Sequence, residues 1–292
     1  MLSPRLFRSL YFICFVASAA LAAEQPHSGT HCAWRATNTP SPLYLIGSIH
    51  GLSSKDYPLP TCFDNAVFNS QVVFFELAPD PRKNYEEYFR KAAEYPKGQT
   101  LNGKVHKETY EFLAKACRRS SIRFDEMAKY KPWFIGMYIW GVRGYSDVSS
   151  EYGVDAYLAR KARLWGKKVE GLVSVEDHID VMGGLSDIDS EIVLLNALVR
   201  GDKRRDDYNE GRALWKKGDL AGLYAFDRKT GKSTAVFNRR LLDERNMKWI
   251  PKIESAIKSK TPTTVVAGAL HFVGPNNVLS LLQKRGYRFE QM

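Results

Sequence analysis

Apolar positions along the chain alternate between two textures: short continuous runs bounded by turn residues, and longer stretches with apolar residues every three or four positions. Cys32–Thr37 and Leu43–Ile49 are short apolar or β-branched runs on either side of Asn38-Thr39-Pro40-Ser41-Pro42, which predicts a hairpin. Pro60 opens a short helix to Ser70. Gln71-Val72-Val73-Phe74-Phe75-Glu76-Leu77 is a continuous apolar run with one acid near its end, as expected of a buried central strand, and Ala78-Pro79-Asp80-Pro81 stops it.

The middle reads as helical, with candidates at 82–95, 104–119, 132–142, 153–165, 174–182, 187–200, 203–217 and 219–228. One strand, Lys167–Leu172, interrupts them. Thr234 to Lys258 predicts a long amphipathic helix in which Pro251 imposes a kink or break. Thr263–Ala267 then reads as a buried strand, Pro275–Arg285 as a helix with Pro275 at its first position, and Tyr287–Glu290 as a closing strand. Strands at both ends with a helix-rich insertion between them predict an α/β fold. No fixed-period repeat or low-complexity linker divides the chain, so residues 23–292 are expected to form one domain.

The first 22 residues have a different character. Arg5 and Arg8 precede an almost wholly apolar run, Leu10 to Leu21, and Ala20-Leu21-Ala22 offers a small-x-small cleavage site before Ala23. This is the pattern of a signal peptide, and it predicts an exported protein, periplasmic or secreted. An uncleaved anchor is the alternative, but the run is short for a membrane span and no later stretch is long enough. The mature chain is therefore expected to carry no transmembrane span, with residues 23–31 as a short flexible lead-in. Cleavage lowers the formal charge from +11 to +9 by removing Arg5 and Arg8. The remaining basic residues are scattered among acids, which argues against a specific nucleic-acid partner and for a solvated basic surface. Cys14 leaves with the leader; of Cys32, Cys62 and Cys117, the first two are the preferred disulfide pair in an oxidising compartment. No C-x-x-C occurs, which disfavours a thiolate zinc site.

Two tetrapeptides carry the candidate chemistry. Gly47-Ser48-Ile49-His50 ends one predicted strand and Gly268-Ala269-Leu270-His271 ends another. Ligands of open α/β sheets collect beyond the carboxyl ends of strands. A third strand delivers Glu76 to a corresponding position. Two neutral imidazoles and one carboxylate are a ligand set for a divalent transition metal with open positions for water, and such an ion supports hydrolysis near neutral pH. Each residue taken singly also has a structural reading, as a hydrogen-bonded histidine or a paired acid. Glu76 is open to two roles, metal ligand or general base. Arg245 falls with Leu241, Leu242 and Trp249 on the apolar stripe of its helix. There it either pairs with Glu76, clamps a substrate carboxylate or oxyanion, or snorkels from the stripe edge to water. His31, His106 and His178 lack motif context and read as surface residues. Trp133, Phe134, Tyr138 and Trp140 read as core, and Asp155 as a first-turn acid favoured by the helix dipole.

The phrase Leu45-Ile46-Gly47-Ser48-Ile49-His50 with Tyr57-Pro58-Leu59-Pro60 resembles the opening signature of the TraB/GumN family, relatives of the Tiki proteases. The resemblance continues through Val72–Leu77, Gly153-Val154-Asp155, Gly166–Leu172, Leu241–Asn246, Gly268–Gly274 and Gly286-Tyr287, and covers about residues 32–292. It implies an EreA/ChaN-like fold: a mixed central sheet with helices on its faces and a site at its strand ends. It also implies a metal-dependent, peptidase-like hydrolase using manganese or cobalt, with His50, Glu76 and His271 at the metal, Arg245 assisting, and a peptide or envelope-derived substrate. One departure stands out: members often have an acid after Gly-Leu at the third strand, where this chain has Val173. That loss favours the alternative, a non-catalytic protein binding haem, metal or an envelope ligand in the same cleft.

Overall fold

The computed structural model describes residues 29–80, 84–120, 122–140, 147–231 and 234–292. The predicted leader 1–22 and most of the lead-in after it lie outside the described residues. Six strands form one mixed sheet: β1 (Ala33–Ala36), β2 (Leu43–Ser48), β3 (Val72–Phe75), β4 (Lys168–Gly171), β5 (Thr263–Gly268) and β6 (Phe289–Gln291), in the order β4-β3-β5-β2-β1-β6. The hairpin β1–β2 is antiparallel, as predicted, and β6 pairs antiparallel with β1. The other neighbours, β2–β5, β5–β3 and β3–β4, are parallel. The α/β class and the mixed sheet expected from the sequence are therefore present.

The central strands explain their own composition. β5 is flanked by β2 and β3, and Val265, Val266 and Ala267 are fully buried. Strands covered on both faces have no solvent side to alternate toward, hence the continuous apolar runs. Helix α1 (Thr61–Phe68) lies between β2 and β3 in sequence, and α6 (Val154–Leu164) precedes β4. Helix α12 (Arg245–Lys258) precedes β5, and α13 (Val278–Gln283) follows it. These helices contribute Phe63, Leu158, Trp249, Ile253 and Leu282 to the cluster around the sheet.

The middle of the chain supplies α2 (Tyr85–Ala93), α3 (Lys107–Arg119), α4 (Phe124–Met127), α5 (Pro132–Trp140), α7 (Val175–Gly183), α8 (Asp187–Val199), α9 (Arg204–Lys216) and α10 (Leu220–Thr230). A second apolar cluster forms here, with Leu101, Leu113, Trp133, Ile135 and Val193 at its centre. Trp133 belongs to that core, as the aromatic spacing predicts. Gly136 lets α5 and α8 touch, since a methyl there would lie 2.9 Å from the Val193 carbonyl oxygen.

The structure differs from the sequence expectations in three places. The long helix predicted from Thr234 begins as α11 (Ala235–Asn238), passes through a π-helical turn at Arg239–Glu244, and continues as α12 across Pro251 without ending. The irregularity therefore lies upstream of the proline. The helix predicted from Pro275 starts at Val278, because the Asn277 side chain accepts the Ser280 backbone N–H at 2.8 Å and caps it there. The preferred Cys32–Cys62 disulfide is absent; both residues and Cys117 are free thiols. Cys32 is buried, its Sγ 3.6 Å from the Trp215 carbonyl, and burial followed by the nearby Asp219 pushes its thiol up to about 12. Among the described residues no helix is long and apolar enough to cross a membrane.

Candidate active site

The parallel strands β3, β5 and β2 are adjacent and end together, Phe75 opposite Val266 and Ser48 opposite Gly268. The residues that leave their carboxyl ends, Glu76, His271 and His50, therefore meet. His50 Nε2 lies 3.8 Å from Glu76 Oε1, and His271 Nε2 lies 3.6 Å from Glu76 Oε2. The three distant segments converge as the two Gly-x-x-His motifs predict. The glycine of the second motif has a direct use: a methyl on Gly268 would sit 3.3 Å from Glu76 Oε1 and 3.4 Å from His50 Nε2, inside the space the three side chains share.

Arg245 is the fourth member. It is only 2% exposed, and its Nη2 donates to Glu76 Oε2 at 2.5 Å. Of the three readings left open by the sequence, pairing with Glu76 is the one present. A second guanidinium nitrogen donates to the Leu241 carbonyl at 3.2 Å, within the π-helical turn. The cation also stacks over Trp249, 4.9 Å from the ring centroid, and Trp249 in turn packs against the His271 ring. The other oxygen of Glu76 accepts the Gly268 backbone N–H at 2.8 Å.

Donor-only and acceptor-only partners define the imidazole tautomers. His50 Nδ1 is 2.8 Å from Asp155 Oδ2, so it donates, and Ser48 Oγ donates to the other Asp155 oxygen at 2.9 Å. His271 Nε2 lies 3.4 Å from Arg245 Nη1, which can only donate. His271 Nδ1 therefore carries the proton, given to Asn246 Oδ1 at 2.6 Å, while Asn246 Nδ2 donates to the Asn276 carbonyl. Each imidazole thus has its rear nitrogen tied to an oxygen and its Nε2 turned toward Glu76, an arrangement that raises ligand basicity and holds ring orientation.

Charges follow from these contacts. Asp155 raises the His50 pKa to about 9, against the opposing pull of desolvation. With no ion bound, a cation is therefore favoured at His50 beside Glu76, and an ion held at Nε2 would displace that proton. Burial opposes ionisation of Glu76, yet His271, Arg245 and His50 around it hold it well below the usual carboxylate range. Burial lowers His271, against the raising influence of Glu76.

Four residues of the candidate site were missed or misread in the sequence. His178, expected at the surface, is half-buried on α7 and its Nδ1 accepts from Arg245 Nη2 at 3.1 Å. Burial, followed by Arg245, pushes it down to about 4, so it is neutral. Asp155 is a first-turn acid of α6, as expected, but its carboxylate is committed to His50 and Ser48. Asn246 stands beside Arg245 and Ser48 lies inside the first Gly-x-x-His motif, and that proximity in sequence was the available signal. His106 is exposed, as expected, whereas His31 is half-buried against Phe63. Val173 follows β4, and its backbone N–H donates to the Glu76 carbonyl at 3.2 Å. Glu170 on β4, three residues earlier, pairs with Lys168 and Lys252.

The donor set fits a divalent ion in kind. Among the described residues no three histidine, cysteine, aspartate or glutamate side chains already close around one point. Two donors bonded to one tetrahedral ion at ~2.1 Å stand ~3.4 Å apart; the 3.6 and 3.8 Å separations are longer and reach different Glu76 oxygens, so binding one ion through all three side chains requires them to move inward. Arg245 already neutralises one Glu76 oxygen, and an ion would share that carboxylate with it.

Comparison with known proteins bears on the same segments. A family model, described as the TraB/PrgY/gumN family, matches residues 32–291. The chain is similar to an uncharacterised protein of Treponema pallidum (strain Nichols), 20% identical over 280 residues, covering 86% of this chain and 80% of that protein. No solved structure matches significantly.

Proposed function

The chain belongs to the TraB/PrgY/gumN family, and from that premise we propose that it is an exported, metal-dependent hydrolase acting on peptide or amide bonds of an envelope-derived substrate. The observation that carries this reading is the Glu76 carboxylate between two imidazoles whose Nε2 atoms face it and whose Nδ1 atoms are tied back to Asp155 and Asn246. The signal-peptide pattern of residues 1–22 supports export.

His50, His271 and Glu76 would hold the ion, with manganese or cobalt as the family resemblance implies. Such an ion supplies Lewis acidity and a water made acidic enough to attack a carbonyl near neutral pH. The protein's own groups do the rest. Arg245 keeps Glu76 ionised and holds the carboxylate in place between the two imidazoles. Glu76, held so far below neutral, is a weak general base, which favours the ligand role over the base role. Asp155 and Asn246 keep both rings in the orientation that presents Nε2 to the carboxylate.

The test is metal content of the purified mature chain, together with peptide hydrolysis in added manganese or cobalt. His50→Ala and His271→Ala are each expected to lower affinity for the ion at least tenfold and to abolish turnover. Absence of bound metal and of hydrolysis in the parent would remove the hydrolase, and retained turnover in both variants would remove this site as its centre. A non-catalytic binding role in the same cleft is favoured by one observation, Val173 in place of the family acid. Under that role the protein binds haem, a metal or an envelope ligand without turnover, and absorption spectra with added haem distinguish it.

A further inference from the structure

Beside the strand ends lies a cavity of about 460 Å³, bounded by α5, α9, α10 and the π-helical turn. Its wall is continuous with the site. Ile49 and Gly51 line it, and they flank His50; Leu270, which precedes His271, lines it too. Leu241, whose carbonyl accepts Arg245, completes that side. The opposite wall is Met137, Trp140 and Phe226, all half-buried, with Phe237 beneath. The cavity is therefore walled in part by the chain neighbours of His50 and His271, though those two side chains do not themselves line it.

Its cations are engaged by the protein itself. Arg200 binds Asp207 through two nitrogens, Arg212 binds the buried Asp56, and Arg204 donates to the carbonyls of Ile139 and Gly201. An anionic group would have to displace these partners, whereas an apolar group meets bare side chains. The volume lies within the range of small-molecule pockets and exceeds what a methyl-sized side chain can fill.

We propose that this cavity is a specificity pocket that receives a bulky apolar side chain, aromatic or large aliphatic, of the peptide beside the bond presented to His50, Glu76 and His271. The inference rests on the hydrolase reading for its substrate class, but its binding component does not need turnover. A small side chain would leave Met137, Trp140 and Phe226 facing empty space and forgo the transfer energy of filling it. Gly211 on α9 offers a way to close the pocket. A methyl there would lie 3.3 Å from Phe226 Cε1, so a longer side chain would crowd the Phe226 ring that lines the cavity.

Two measurements test the pocket separately from the chemistry. In the first, the full chain is labelled with 5-fluorotryptophan, and the Trp140 ¹⁹F signal is assigned by Trp140→Phe. That signal is expected to shift on titration with N-acetyl-phenylalaninamide and to stay put with N-acetyl-glycinamide at equal concentration. Gly211→Leu should abolish the shift, with thermal unfolding confirming that the variant is folded. In the second, manganese-loaded protein is given peptides differing only in a Phe or Ala at one position. A preference for Phe of about tenfold or more in kcat/KM is expected, reduced toward unity by Gly211→Leu. Hydrolysis without side-chain preference, and with an unmoved Trp140 signal, overturns the pocket and leaves the hydrolase. A Phe-specific shift without any hydrolysis upholds the pocket and overturns the hydrolase.

Discussion

Arg245 and Glu76 meet at 2.5 Å with 2% and 12% of their side chains exposed, a pair for which removal of one partner matters more than the pair itself. A buried carboxylate deprived of its cation retains its desolvation cost and loses its compensation. Arg245→Met is therefore expected to destabilise the fold by about 3–5 kcal/mol, measured by denaturant unfolding. Adding Glu76→Gln should recover part of that loss, because the orphaned charge is gone. A double variant no more stable than Arg245→Met would show that Arg245 acts through its packing on Trp249 rather than through charge.

At the scale of elements, the site depends on how α6 begins. Val154 donates its backbone N–H to the Ile49 carbonyl at 3.0 Å, and Leu52 pairs with Ser149, so the start of α6 clamps the segment that carries His50. Gly153 permits the clamp: a methyl there would fall 2.3 Å from the His50 carbonyl oxygen, where only backbone movement could relieve it. Gly153→Ala should cost on the order of 1–3 kcal/mol and shift the His50 imidazole resonances, a change visible by NMR. The same scale explains what could be read from the sequence. The strands were legible because buried parallel strands are continuous apolar runs, and their carboxyl ends located His50, Glu76 and His271. His178 was not, because its contact with the site passes through Arg245 on another helix, and nothing in its own neighbourhood encodes that. Asp155 was hidden by a sufficient local explanation, the helix dipole. The π-helical turn escaped because a 3.6-residue count assumes unbroken phase, whereas the turn inserts a residue just before Arg245.

For the molecule as a whole, the acid limit of stability has an identifiable contributor that is not one of the proposed metal ligands. Asp56 has a fully buried carboxylate that binds Arg212 and Lys216 and accepts from Ser53. Burial opposes its ionisation, but the Lys216 and Ser53 hydrogen bonds outweigh it and lower the pKa from 3.8 to about 2. With the folded value depressed, the stabilisation is fully present above pH ~4 and is lost as the pH falls from there through about 2. Its size is about 2 kcal/mol, and Asp56→Asn should flatten the unfolding free energy between pH 4 and 2 by that amount. Equal slopes in parent and variant would remove Asp56 as a contributor.

The strand order has a consequence for how the chain is made. β2 and β3 do not touch; β5, some two hundred residues downstream, is inserted between them. A nascent polypeptide released before Thr263 lacks the strand that joins the two halves of the sheet. Chains arrested on the ribosome before that point should be digested rapidly by protease at every length, and resistance should emerge in one step once residues 263–291 clear the exit tunnel. A chain with this wiring stays unlocked until Thr263–Gly268 has been made, because that strand alone joins β2 to β3.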